Sequence, residues 1–224
     1  MDKMIFTMLN SMKNVQNKQS NNAHEIANVV TPGFKKSYSE QTQSLDVHIP
    51  GTFATRAMPV TNATNVVDMN PGALMVSGRA LDVYVNTSGA IAVQGPEGQE
   101  LYTRRGDLTI SADGQLMTGT GSLVLGDGGP ITVPGGSNIS ITNDGSVNMI
   151  PRGANAEVTV GRIKLVDTKD TEMLIREDGL YQVREGALPA SADITLTTKA
   201  LEGSNVTVVD SMVRMITLSR QYEM

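Results

Sequence analysis

The first 36 residues carry the pattern that most constrains what this chain can fold into. Apolar and small polar residues recur there at alternating steps of four and three, which is the a/d spacing of a helical seam. The seam consists of Ile5, Leu9, Met12, Gln16, Gln19, Ala23 and Ile26. Since no Pro or Gly precedes Pro32 and Gly33, the pattern predicts one uninterrupted helix from about Lys3 to Val29.

A second helical segment lies at the other end of the chain. Thr207 and Asp210 have the spacing of a capping box, in which two side chains satisfy free backbone N–H groups at a helix start. Because an amphipathic helix gains most of its stability by packing, we expect the two terminal helices to pair in a coiled-coil-like domain. The apolar stripe of the second helix consists of Val209, Met212, Val213, Ile216 and Arg220, widened by Met215 and Tyr222.

Between the helices, apolar and polar residues alternate with a period of two. About a dozen short segments of this kind follow Gly72, which is typical of an antiparallel β domain or barrel, and the predicted strands include 131–133 and 158–166. Asp-Gly pairs at 113–114, 144–145 and 178–179 predict tight turns, because Gly tolerates the positive φ that such turns require. Gly119–Val124 lacks the Lys and the following helix of a nucleotide loop, so it is interpreted as a hairpin, and 201–205 as a loop.

These patterns predict an α+β fold that is mainly β. Residues 1–36 and 203–224 are expected to form a helical inner domain. An antiparallel β domain over residues 73–202 is inserted between them in sequence. Residues 37–72 are interpreted as an extended arm with little core of its own.

Composition excludes several classes of function. The formal net charge of −5 and the pI near 5.0 argue against a nucleic-acid partner. No apolar run approaches the roughly 20 residues that span a bilayer, and Asn10, Ser11 and Lys13 interrupt the N-terminal segment before a secretory signal could form. The absence of Cys excludes thiolate chemistry, and with two His a first-row metal site would rest mainly on carboxylates.

The sequence also gives little support to catalysis. His24 falls on a polar helix face and His48 in the arm, where surface or packing roles explain both. Asp167 and Asp170 flank Lys169 at a predicted strand end, and a hydrolase that used this carboxylate pair is the weakest of the alternatives. No Gly-x-Ser-x-Gly motif is present. We therefore predict that the protein is not an enzyme and has no catalytic, metal-binding or cofactor-binding residues.

Five segments, in order, resemble motifs of the bacterial flagellar rod and hook protein family. They are Ala27–Lys35, Gly78–Val83, Tyr102–Gly106, Asp113–Leu116, and a C-terminal motif at Leu201–Val206 and Met212–Ile216. Gly126–Ile131 and Leu218–Met224 look most like the proximal rod type, and the distal rod type is the close alternative. Pro32 departs from many family members, and relatives usually continue the last helix beyond Met224.

The resemblance implies a structural subunit of a hollow, torque-transmitting drive shaft for motility. In this family, the terminal helices of many subunits pack into an inner tube around the export channel, and the β domains form the outer layer. The expected partners are further copies, other rod and hook-basal-body subunits and the type III export apparatus. The expected location is the basal-body rod across the periplasm, reached without a cleaved signal peptide. A secreted or periplasmic β-rich module that binds a glycan or a protein is the alternative from another class.

On this resemblance, the assembly interface lies on the two helical seams and at the end of the first helix. The exit turn at Pro32, Gly33 and Phe34 is expected to set the angle between the inner helix and the outer domain. The remaining residues predicted for the interface are Ile5, Leu9, Met12, Ala23, Ile26 and Asn28 in the first helix, and Val209, Met212, Val213, Met215, Ile216 and Tyr222 in the last.

Overall fold

The computed structural model describes residues 2–38, 41–47, 56–62, 65–151, 156–184 and 186–223. Over these residues the fold is α+β and mainly β, as predicted. His48 and Met224 lie outside the described residues, as do the side chains of Ile5 and Tyr222.

Two helices flank a long series of short strands. Helix α1 spans Asp2–Ala27 and α2 spans Val208–Glu223. The strands are β1 Ser37–Tyr38, β2 Gln41–Val47, β3 Arg56–Asn62, β4 Val66–Val67, β5 Leu74–Val76, β6 Val83–Val85, β7 Gly89–Gln94, β8 Glu100–Thr103, β9 Leu108–Ile110, β10 Leu116–Thr118, β11 Leu123–Gly126, β12 Gly129–Pro130, β13 Gly136–Ile141, β14 Ser146–Pro151, β15 Val158–Arg162, β16 Leu165–Asp167, β17 Met173–Ile175, β18 Tyr181–Val183, β19 Leu196–Thr198 and β20 Ala200–Glu202.

Helix α1 ends where the sequence analysis placed its stop, within the usual uncertainty of a helix boundary. The N–H of Asn28 donates to the carbonyls of His24 and Glu25, and that of Thr31 donates to the Asn28 carbonyl. Gly33 then adopts a φ of +70°, which reverses the chain direction. The last helical turn is therefore closed by backbone hydrogen bonds before the chain enters the β region.

Helix α2 begins directly after Thr207, as the predicted capping box requires. The hydroxyl of Thr207 donates to the Asp210 carboxylate, whereas the usual box directs each side chain to a backbone N–H. The position of the helix start is confirmed, and the bonding within the cap differs from the prediction.

One large sheet contains eleven strands, and every named strand pair in the described part of the chain is antiparallel. Its path is β1-β4-β17-β18-β8-β7-β11-β10-β9, with β12 on β11 and β16 on β7. The smaller sheets are β13-β14-β15, β19-β6, β2-β3 and β20-β5. The ends of the segment 37–72 thus join the main sheet through β1 and β4, and its middle forms the β2–β3 hairpin.

The predicted turns are confirmed by backbone geometry. Gly114, Gly145 and Gly179 have φ angles of +78°, +86° and +78°. Gly121, with a φ of +91°, lies in the hairpin that joins β10 to β11, so the interpretation of Gly119–Val124 as a hairpin is also confirmed.

Three strand predictions were wrong. The single strand expected over 158–166 is divided, because Ile163 bonds to Gly145 and Lys164 to Leu125, which transfers the chain to the main sheet. The segment 131–133 forms an isolated bridge at Thr132 instead of a strand. Leu201 and Glu202 lie in β20 instead of a loop, because β5 supplies a partner that the sequence analysis missed.

The core lies between the sheets in two clusters of buried side chains. The larger cluster comprises Val83, Val85, Ile91, Val93, Leu101, Leu108, Leu116, Val124, Ile131, Val133, Ile141, Val147, Met149, Ile163, Leu165, Leu180, Ile194 and Leu196. The second comprises Val67, Ala90, Ala92, Tyr102, Val166, Met173 and Tyr181. Strand β7 contributes to both, which places it at the centre of the fold.

Leu116→Ala is expected to lower the free energy of unfolding by about 2–5 kcal/mol, because the side chain has no exposed surface and its loss leaves a cavity. Urea unfolding followed by circular dichroism measures the change. Val158→Ala, at a side chain that is 47% exposed, is the control and should shift the value by only about 0.5 kcal/mol. Equal losses at the two positions would contradict this assignment of the core.

Candidate functional site

The helices and the β region meet at a junction formed by residues 28–36, 68–72, 202–205 and Arg104. Its centre is a buried ion network. Lys35 Nζ lies 2.7 Å from Glu202 Oε1, and Arg104 Nε lies 2.6 Å from Glu202 Oε2. The second Arg104 contact, from Nη2 to Glu202 Oε1, is 3.1 Å. None of the three side chains has exposed surface, so one carboxylate neutralises part of the charge of two enclosed cations.

Backbone groups satisfy the remaining donors and acceptors of this network. Arg104 donates through Nη1 to the carbonyls of Thr87 and Gly89 and through Nη2 to that of Val85. Lys35 Nζ also donates to the Asn70 carbonyl at 2.5 Å. The N–H of Gly72 donates to Glu202 Oε1 at 2.7 Å. Because buried charges are costly unless paired and hydrogen-bonded, this bonding is the condition for enclosing them.

The electrostatics of the network act most strongly on Lys35. Burial lowers the pKa of its ammonium group below 10.5, the nearby Arg104 guanidinium lowers it further, and the Glu202 carboxylate opposes both. The surroundings therefore disfavour the positive charge on Lys35, and Glu202 is the counter-charge of both cations.

Backbone hydrogen bonds lock the exit turn of α1 onto this network. The N–H of Gly33 donates to the Glu202 carbonyl at 2.8 Å, and the Tyr181 hydroxyl donates to the Gly33 carbonyl at 3.2 Å. Burial raises the pKa of Tyr181, so its hydroxyl stays protonated as a donor. A Cβ at residue 33 would lie 2.7 Å from the backbone of Arg104, so the close approach requires glycine.

Asn205, which precedes α2, links its own segment of the junction to the segments 28–36 and 68–72. Its side-chain oxygen accepts from the Lys36 N–H at 2.8 Å, and its Nδ2 donates to the Asp68 carbonyl at 3.0 Å. Its own N–H donates to the Phe34 carbonyl at 3.4 Å. The end of α1 and the beginning of α2 therefore leave the β region side by side.

Helices α1 and α2 contact each other through polar groups. Asn22 Nδ2 donates to the Ser211 carbonyl at 2.8 Å, and Arg214 Nη1 lies 3.1 Å from Glu25 Oε2. Asn22, Glu25 and Ser211 are buried. The sequence analysis did not single out these residues, because they lie beside the apolar seams and not within them.

Most apolar side chains described in the two helices are exposed, whereas Leu218 of α2 is buried. This exposed helical face has side-chain exposures between 50% and 71% and comprises Met8, Leu9, Met12, Val209, Met212, Val213 and Ile216. Of the other predicted interface residues, Ala23 is exposed, Ile26 and Met215 are half-buried, and Asn28, Pro32, Gly33 and Phe34 lie in the junction. The described members of the predicted set are thus divided between the helices and the junction.

The described residues contain no arrangement that suggests catalysis. His24 packs edge-on against Phe34 with ring centroids 5.7 Å apart. Asp167 accepts from the Lys169 N–H as part of a turn. Across the described ranges, no group of three or more His, Cys, Asp or Glu could hold a metal ion, and no helix is long and apolar enough to cross a membrane.

The buried network joins three of the segments that the sequence analysis identified. Lys35 comes from the segment that ends α1, Arg104 from Tyr102–Gly106 and Glu202 from Leu201–Val206. The roles of these charges were missed, because local sequence does not show which of many charged residues will be enclosed. The one available signal was their position inside the segments that resemble family motifs.

Comparison with known proteins identifies the family. The flagellar hook protein FlgE/F/G D1 domain matches residues 84–149, and the flagellar basal body rod FlgEFG protein C-terminal region matches residues 197–224. The flagellar basal-body rod protein FlgF of Salmonella typhimurium is 38% identical over 234 residues, which cover 100% of this chain and 91% of the relative. FlgF of Escherichia coli is 35% identical over 233 residues, with the same coverage. FlgG of Buchnera aphidicola subsp. Acyrthosiphon pisum is 30% identical over 229 residues, which cover 90% of this chain and 84% of the relative.

These findings define the class as a structural protein of the flagellar axis. The chain belongs to the family of bacterial flagellar basal-body rod proteins, and its greater identity to the FlgF relatives fits the proximal rod type better than the distal type. It is therefore a structural subunit of the basal body, in a family whose members assemble with other rod and hook subunits. The relatives are rod proteins by name and not enzymes.

Glu202→Gln is expected to lower the free energy of unfolding by about 3–5 kcal/mol, since it leaves two buried cations without a counter-charge. Lys35→Met is the matched variant and should cost only about 1–2 kcal/mol, because the Arg104–Glu202 pair survives. Urea unfolding of both variants measures the difference. Equal losses would show that the network is a simple Lys35–Glu202 pair.

The contribution of Lys35 to stability should rise with pH in the alkaline range. Its pKa is lowered in the folded chain, so between that value and 10.5 the unfolded chain binds more protons than the folded chain. Raising the pH through this window therefore favours the folded state. We expect the unfolding free energy of the wild-type chain to increase relative to that of Lys35→Met as the pH approaches 10.5. A difference that stays constant with pH would contradict the assignment.

Proposed function

We propose that the exposed helical face is the surface through which this rod subunit polymerises. The supporting observation is that seven apolar side chains on two helices stay at least half exposed, while the contacts between these helices use polar groups. Clusters of exposed apolar side chains on a helix mark an interaction site, and each of the two helices carries such a cluster. Burial of these side chains against neighbouring subunits would stabilise the assembly by roughly 25 cal/mol per Å² of apolar area removed from water.

In the proposed assembly, the two helices pair in a coiled-coil-like inner domain and the β domain lies outside it. The inner domain comprises residues 1–36 and 203–224, residues 37–72 form the arm, and residues 73–202 form the outer domain. Repeated heterologous contacts along a helical lattice would produce a hollow shaft. The interface set predicted from the sequence, from Ile5 to Tyr222, is retained in this proposal.

The junction suits a subunit that transmits torque. A shaft requires that rotation of one layer be passed to the next without local bending. The buried ions at Glu202 and the hydrogen bonds of Gly33 and Asn205 connect the helices to the β region by several independent contacts. We propose that this junction keeps the inner and outer layers in a fixed orientation under load.

Further parts of the proposal rest on the family resemblance. The partners are other copies of this chain, further rod and hook-basal-body subunits and the type III export apparatus. The subunit is exported without a cleaved signal peptide and assembles in the rod that crosses the periplasm. No cofactor takes part in this function.

Ile216→Asp tests the assembly surface. The side chain is 56% exposed, so the isolated subunit should keep its free energy of unfolding within about 0.5 kcal/mol. In the rod, the same change would bury an unpaired charge at a cost of several kcal/mol and abolish assembly and motility. Swimming assays and immunoblots of purified basal bodies provide the readouts.

The matched control for that variant is Gln221→Asp, which adds the same charge about 140° around the helix. Gln221 is exposed and lies outside the predicted interface set. Normal swimming of the Ile216→Asp strain would contradict the proposed surface.

A further inference from the structure

We propose that β5, Leu74–Val76, is a docking site for an extended segment of a neighbouring rod subunit, which adds to it as a further β-strand. The inference rests on the proposed polymerisation and extends it to a second surface, outside the helices.

The backbone of β5 has one occupied edge and one open edge. The strand pairs with β20 in the register Ala200↔Val76, Leu201↔Met75 and Glu202↔Leu74. Flanking hydrogen bonds run from Ser77 N–H to the Lys199 carbonyl and from Gly203 N–H to the Ala73 carbonyl. In an antiparallel pair, the backbone N–H and C=O groups of successive residues point alternately toward and away from the partner strand. Those of Met75 therefore point toward β20, and those of Leu74 and Val76 point away from it.

No partner for these outward groups is found among the described residues. The sheet that contains β5 has only two strands, β5 and β20. Unpaired backbone groups of an edge strand form a ready template for another strand. A partner that completes such a ladder has to be an extended polypeptide, so the open edge itself specifies the chemistry of the occupant.

The side chains of β5 are apolar and exposed on both faces of the strand. Leu74 is 48% exposed, Met75 42% and Val76 81%. Natural proteins blunt an open edge with a short strand, Lys, Pro or a bulge; β5 is short, with three residues, but it contains no Lys, Pro or bulge. The exposure of three consecutive apolar side chains beside an open backbone edge favours their being covered in the working assembly.

The location of β5 favours a rod subunit as the occupant. Its partner β20 leads through the junction into α2, whose first residues Val208 and Val209 are 38% and 71% exposed. Leu74 of β5 pairs with Glu202, so this edge strand lies directly beside the junction from which α2 starts. A neighbour that packs on the helices would bring its own extended segments close to this edge.

Val76→Pro is the decisive variant, because it removes one outward N–H and leaves the ladder with β20 intact. Val76→Thr is the matched control, since it keeps both the N–H and the β-branched shape. We expect the Pro variant to show at least about tenfold less subunit in purified basal bodies than the Thr variant. Equal incorporation of the two variants would overturn the inference and leave the rod function intact.

A second measurement does not depend on how well the Pro variant folds. A photo-crosslinking benzoylphenylalanine at position 76 is activated in assembled basal bodies, and the captured peptide is identified by mass spectrometry. An extended segment of a rod-family subunit supports the inference. A helical segment, a protein of another class or no adduct overturns it. Absence of the wild-type chain itself from purified basal bodies would overturn both this inference and the proposed rod function.

Discussion

The carboxylate of Glu202 is the group on which the geometry of the whole subunit depends. It neutralises Lys35 from the end of α1 and Arg104 from the β region, and it also accepts from the Gly72 backbone. Each of these partners comes from a different segment of the chain. Without the Glu202 carboxylate, each would be a buried polar group that lacks this partner. The directions in which both helices leave the β region are therefore set by a contact that is fully enclosed and cannot be loosened by solvent.

The stability of the subunit and its assembly rest on different kinds of residue. Within the chain, stability comes from aliphatic side chains around β7 and from the enclosed ions at the junction. The surface proposed for assembly consists of apolar side chains that contribute little to the monomer, because they stay half exposed. This separation allows a chain to fold first and polymerise afterwards, since neither process competes for the other's contacts.

Local patterns were sufficient to predict the helices, the Asp-Gly turns and the antiparallel character of the strands, because spacing and turn chemistry are short-range properties. Strand β5 and the division at Ile163 were missed, because both are decided by partners that lie far away in sequence. The same holds for the junction. Lys35 and Glu202 are separated by 167 positions, and nothing near either residue shows that it is paired. The helical seams were predicted from apolar spacing, which does not show the polar contacts of Asn22 and Glu25 beside them.

The close contact between the backbones of Gly72 and Gly203 has a consequence for how this fold can vary among related proteins. A Cβ on Gly72 would lie 2.0 Å from the Gly203 carbonyl oxygen, so the chain enters and leaves the intervening region at nearly one point. Arg104, Tyr181 and Glu202 must stay, because they contact the junction, but the rest of the intervening region can be enlarged, shortened or exchanged without moving the ends that hold it. Related rod subunits could therefore carry outer domains of different size on the same helical inner domain.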